Sequence, residues 1–224
     1  PPSDEAEGAG GERISLWLTR IIRAVIFALA FFTPLLWLGV TQDILFLKVV
    51  AVEAGAVLAA AAWLLKALAT KRLEYVRSPL NAAFLALAIV LVLATIFSAN
   101  PWASFWGPDP TGEKTASLLA FIIISFVSAA VLGRRDAARI AALLLVSFTL
   151  LGGFALLSII VARSGGALPQ WLNVNPIGTV NALAWVLAIG FIMSLGLALT
   201  RAGRPALGRW IGWLAILALA MLFA

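Results

Sequence analysis

The chain has 224 residues, of which 63% are hydrophobic and 12% charged, and it carries a net charge of +6. Soluble domains hold about 45–50% apolar and about 25% charged residues, so this composition excludes a water-soluble globule and makes lipid the solvent for most of the chain. There is no cysteine and no histidine, which excludes disulfides and thiolate metal sites and removes the commonest general base and metal ligand.

Residues 1–12, PPSDEAEGAGGE, are acidic, rich in Gly and Pro, and without periodicity, and they read as a disordered tail. Residues 13–224 read as a single transmembrane helical domain. A membrane-spanning helix needs about 20 apolar residues. The first such run is residues 21–40, with Arg13, Arg20 and Arg23 before it or at its start. A cleaved signal peptide would need a small-x-small site after a shorter apolar region. Thr41-Gln42-Asp43 offers none, so the helix is expected to be retained, with Pro34 kinking its outer end.

The following spans are expected at residues 44–65, 80–97, 116–132, 140–162 and 179–199, and a seventh begins at Trp210 and is cut at Ala224. Pro79 stands in the first turn of the third span, where a missing N–H costs nothing. Gly152-Gly153 inside the fifth permits a bend or a close helix contact. The expected fold is therefore an all-α, polytopic transmembrane helix bundle of six complete spans and a truncated seventh. Two polar segments, residues 97–115 and 163–179, form its main outer loops.

Orientation follows from Lys and Arg. Arg13, Arg20, Arg23, Lys66, Lys71, Arg72, Arg77, Arg134, Arg135, Arg139, Arg201, Arg204 and Arg209 fall on one side, which is 13 of the 16. Lys48, Lys114 and Arg163 fall on the other. The positive-inside rule then places the N-terminus in the cytoplasm. Trp residues gather at both boundaries, as an interfacial belt does.

Few residues offer chemistry. Glu53 is the carboxylate set well inside a span, about 13 Å from Ile44 at 1.5 Å per residue and thus near the midplane of a core about 30 Å thick. Lys48 lies about 140° from it around the helix, so the two do not share a face. Glu53 is either a proton or substrate site within the bundle, or a hydrogen-bonded side chain packed against another helix. Lys48, Lys114 and Arg163 are candidate contacts for an anionic substrate on the outer side, Lys114 with the added pull of a helix N-terminus. The plainer reading is that all three snorkel to the headgroups. Asn181, at the outer lip of the sixth span, contacts substrate or bonds a neighbouring helix. No P-loop, dinucleotide fingerprint, metal-ligand cluster or nucleophile–base motif is present, so no metal, cofactor or nucleic-acid partner is expected.

Two stretches carry a resemblance. One runs from Arg77-Ser78-Pro79-Leu80 to Ser98-x-Asn100-Pro101-x-x-Ser104-x-Trp106-Gly107, and the other is Asn175-x-Ile177-Gly178-Thr179-x-Asn181-x-Leu183-Ala184. In their order and their placement on outer loops, and with the Thr41–Lys48 junction, they resemble the O-antigen ligase and O-antigen polymerase-like family of bacterial membrane proteins. The resemblance implies a multi-pass protein of the bacterial inner membrane. It implies transfer of a glycan from an undecaprenyl diphosphate carrier to an acceptor on the outer face, without nucleotide sugar or metal. Such enzymes stabilise the diphosphate leaving group with Arg side chains. The family's Arg after the Trp-Gly pair is replaced here by the segment ending in Lys114, which lacks the bidentate fork. Its catalytic Arg and His residues belong to a large outer loop in the C-terminal half, so the resemblance implies that this stretch of chain holds no catalytic residue and is inactive alone. The competing reading is a non-catalytic membrane subunit or a small transporter working through Glu53.

Overall fold

The computed structural model describes residues 3–36, 44–107, 114–164, 185–186, 188–193 and 196. All of the regular structure among them is helical: α1 (Ser3–Leu35), α2 (Ile44–Thr70), α3 (Pro79–Ile96), α4 (Pro101–Trp106), α5 (Thr115–Val131) and α6 (Arg134–Arg163). Among the described residues, four stretches are long and apolar enough to cross a membrane, namely Glu12–Leu35, Phe46–Thr70, Pro79–Ile96 and Arg134–Phe154, while Thr115–Val131 is apolar but shorter. This is a membrane protein built of helices. The expected sixth and seventh spans fall outside the described residues, apart from helical residues 185–186, 188–193 and 196.

The first helix runs from Ser3. Several expected boundaries move, each for a local reason. The second span runs past Leu65 to Thr70 because Lys66 is buried and its Nζ donates to Glu74 Oε2 at 2.7 Å. It stops in a Schellman turn: Lys71 takes φ 52°, its N–H donates to Leu68 O, and Arg72 N–H donates to Ala67 O. The fifth span starts at Arg134, not Ile140. Asp136 in its first turn accepts from Gly133 N–H at 3.3 Å, the return half of a capping box. Pro34 occupies the last turn of α1 and closes that helix at Leu35.

The third span keeps nearly its expected limits. Ser78 caps it by accepting from Asn81 N–H at 3.1 Å, and Pro79 follows at the first helical position. Residues 97–115, expected as an irregular loop, contain α4. Asn100 accepts from Ala103 N–H at 3.1 Å, Pro101 starts the helix, and Gly107 ends it at φ 77°. A six-residue helix is too short to show a periodicity, but both its start and its stop signals are in the sequence.

The chain divides into two compact units, Pro1–Leu29 with Lys48–Asp136, and Ala30–Leu47 with Ala137–Ala224. In the first, α2 presents Val49, Val52, Ala56, Ala59, Ala62 and Lys66 as one buried face with helical spacing. Small residues on that face allow close approach: Leu29 of α1 lies so near Gly55 that a Cβ there would meet its Cδ1 at 2.6 Å. Val52 and Ala56 pack on Ala120 of α5, with Ile123 and Ile124 beside them. The helices α3, α4 and α5 pack on one another. Tyr75 stacks on Phe126, 6.2 Å between ring centroids, and brings the 71–78 loop toward the C-terminal end of α5. In the second unit, Ser147 Oγ donates to Phe31 O at 2.9 Å, and Gly190 approaches Phe148, where a Cβ would meet the ring at 3.0 Å.

Candidate functional site

The polar centre of the first unit gathers at the start of α5. Lys114 is its N-cap residue, with extended backbone (φ −124°, ψ 153°) and no side-chain capping bond. The first turn of α5 contains no acid of its own. The missing negative charge comes from α2. Glu53 Oε1 lies 3.1 Å from Lys114 Nζ and accepts from Ser117 Oγ at 2.7 Å, while Lys114 Nζ also donates to Glu53 Oε2 at 3.3 Å. A carboxylate at a helix N-terminus gains from the dipole as well as from its direct partners. Glu53 therefore closes the end of α5 and neutralises Lys114 in one arrangement. Lys114 is 7% exposed and Ser117 2%.

Next to the ion pair runs a line of hydroxyls. Thr95, at the end of α3, contacts Thr115 Oγ1 at 3.1 Å and Leu91 O at 2.8 Å, and Thr115 Oγ1 donates to Ser104 O of α4 at 3.1 Å. Thr115 and Thr95 are both buried. These bonds join the end of α3, the middle of α4 and the start of α5. Lys114 Nζ also sits 5.9 Å from the centroid of the Trp106 ring, within cation–π range. Trp106 lies against Trp102 and Phe105, with centroids 5.8 Å and 4.9 Å away. The Trp102 side is open, at 74% exposure.

The structure thus brings together two of the five site residues expected from the sequence, Glu53 and Lys114. Glu53 is hydrogen-bonded by Ser117 and paired with Lys114. Lys114 is neither an open cation nor a snorkelling one: its charge is turned inward onto Glu53. Lys48 is partly buried on α2. Arg163 is the last residue of α6. Asn181 lies outside the described residues. Sequence reasoning missed Ser117, Thr115, Thr95 and Trp106. For the first three the signal was present as hydroxyl residues at the ends of two apolar runs flanking the same polar segment, and Trp106 lies within that segment.

Chemically, a neutralised pair bonded to a hydroxyl is suited to fixing helix positions. Among the described residues no group of three or more His, Cys, Asp or Glu side chains is placed to hold a metal ion. The chain matches no protein-family model, no curated protein and no solved structure.

Proposed function

We propose that this chain is the N-terminal, scaffolding part of an O-antigen ligase-like membrane glycosyltransferase. In this reading it has six complete spans and part of a seventh in a bacterial inner membrane, with its N-terminus in the cytoplasm. The enzyme passes a glycan from undecaprenyl diphosphate to an acceptor on the outer face. The observation that carries the reading is the folded state of the segment on which the resemblance rests. Asn100 caps α4, Pro101 starts it, Ser104 O receives Thr115, Trp106 covers Lys114, and Gly107 ends the helix. Asn100, Pro101, Trp106 and Gly107 each have a side-chain or backbone task in one element, which supports reading them as one pattern.

The buried pair changes the assignment of roles. Lys114 anchors α5 through Glu53, so the cations that meet the diphosphate are sought at Lys48 and Arg163, with Asn181 beside the acceptor path, and in a catalytic loop outside this stretch. The test uses the full-length protein in vesicles, with a lipid-linked glycan and an acceptor, and follows glycan transfer. Asn100→Ala should slow transfer by loosening α4, and Arg163→Ala should weaken use of the lipid-linked donor. Absence of transfer by the full-length protein, with every donor offered, would overturn the proposal.

A second reading is favoured by Glu53 itself, a carboxylate held on a lysine within a membrane span. If the chain is a small transporter, Glu53→Gln abolishes proton-linked uptake in vesicles. Under the ligase reading the same variant weakens the fold and moves no solute.

A further inference from the structure

We propose that the 71–78 loop, with the 133–135 turn beside it, forms a binding surface for anionic phospholipid headgroups. This inference stands apart from the glycosyltransferase reading. The loop holds one acid, Glu74, and the turn is followed by another, Asp136, and each is paired with a cation; the Glu74 side chain stays 48% exposed while Asp136 is buried. Glu74 Oε2 is held 2.7 Å from the buried Lys66 Nζ of α2. Asp136, 5% exposed, caps Gly133 and lies 3.3 Å from Arg23 Nε, a charge contact without hydrogen-bond alignment. The cations stay outside. Lys71, Arg72, Arg77, Arg134 and Arg135 are all exposed.

The loop also has an apolar component. Leu73, Tyr75 and Val76 are 61%, 45% and 45% exposed. Exposed apolar side chains between exposed cations match the boundary of a bilayer, where acyl chains meet charged headgroups. The loop is held in place for this contact. The Schellman turn fixes its start, and Asn81 Nδ2 donates to Val76 O at 2.7 Å near its end. Stacking of Tyr75 on Phe126 directs it toward the end of α5, where Arg134 and Arg135 begin the next helix. A fixed loop loses little freedom on binding, so its charges act at nearly full strength.

The experiment titrates the purified full chain in neutral detergent with a fluorescent phosphatidylglycerol. Unlabelled phosphatidylglycerol, phosphatidylcholine of the same acyl length, and inorganic phosphate serve as competitors. Each cation near an anionic surface is worth roughly fivefold in binding, so three give on the order of 100-fold. The parent chain should therefore prefer phosphatidylglycerol to phosphatidylcholine by on the order of 100-fold at low salt. Lys71→Ala/Arg72→Ala/Arg77→Ala should lower that preference by on the order of 100-fold, with the unfolding temperature unchanged. Arg134→Ala/Arg135→Ala should produce a smaller loss. Raising the salt to about 0.5 M should shrink the parent's preference, which provides a reading even if the triple variant fails to fold. Equal affinity for the two lipids, an undiminished preference in a folded triple variant, or a preference insensitive to salt would each overturn the proposal. So would displacement by inorganic phosphate as effective as by phosphatidylglycerol, because Leu73 and Val76 would then contribute nothing.

Discussion

Replacing Glu53 by Gln keeps the side chain's size and its bond from Ser117, but removes the charge facing Lys114. Lys114 is then left as a buried cation, its side chain 7% exposed, while the Glu53 side chain is 19% exposed. Removing one partner of a buried pair costs about 3–5 kcal/mol, chiefly from the uncompensated charge. The lower figure already shifts the folded-to-unfolded ratio on the order of 100-fold. Lys114→Met should cost a similar amount, because Glu53 then keeps only Ser117 and the dipole of α5. The double variant Glu53→Gln/Lys114→Met should recover most of the loss, since exchanging both charges for neutral groups of like volume is about neutral. The assay is reversible unfolding in mixed micelles followed by tryptophan fluorescence, with the four proteins arranged as a double-mutant cycle. With single costs of about 3 kcal/mol each and a double variant near neutral, the expected coupling is about 5–6 kcal/mol in favour of the pair. If the two single changes cost under about 0.5 kcal/mol each and simply add, the pair does not form in the bilayer and the reasoning fails.

Three further outcomes follow from the same structure. Asn100→Ala removes the acceptor for Ala103 N–H and should destabilise α4 by about 1 kcal/mol, read as roughly fivefold faster amide exchange at Ala103. Lys71→Gly relieves a left-handed backbone position and should stabilise the chain by about 0.5–1 kcal/mol, measured by the same unfolding assay. Gly55→Ile should separate α1 from α2, because even a Cβ meets the Leu29 side chain at 2.6 Å. Its cost should be about 1–3 kcal/mol, whereas Gly55→Ala should cost less, since Leu29 can turn its flexible end aside.

Much of the fold was legible because membrane helices announce themselves by length and composition. The third span could be placed almost to the residue from Ser78-Pro79, a cap and a first-turn proline in succession. Charged residues misled at other boundaries. Lys66 marked an apparent end of the second span, yet its partner Glu74 lets it stay helical and buried. Arg134 and Arg135 looked like loop, yet Asp136 behind them completes a helix start. The α4 helix was hidden for another reason: periodicity needs more than six residues to register, although Asn100, Pro101 and Gly107 supplied every terminal signal.

The site was legible only in part. Helix geometry excluded a Glu53–Lys48 pair through the angle between them, and it singled out Glu53 as a group that must find a partner or a purpose. It could not name Lys114, 61 positions later in the chain, because the phase of one helix says nothing about which neighbour faces it. The meaning of Lys114 changed most. A cation at a helix N-terminus beside an outer loop reads as an anion site, until the anion proves to be a side chain of the same protein.

The Glu53–Lys114 contact also bears on how the chain enters the bilayer during synthesis. The third helix is apolar between Asn81 and Thr95 and can partition into lipid alone. The fifth starts with Lys114, Thr115 and Ser117 and spans 17 residues, near the lower limit for crossing. A lysine buried at the start of a span opposes insertion less than one at its centre, which costs about 2.5–3.5 kcal/mol, and the carboxylate of Glu53 on α2 offsets that opposition. The contact thereby ties the stable seating of α5 to the placement of α2, whose Glu53 supplies the charge that Lys114 lacks in its own helix.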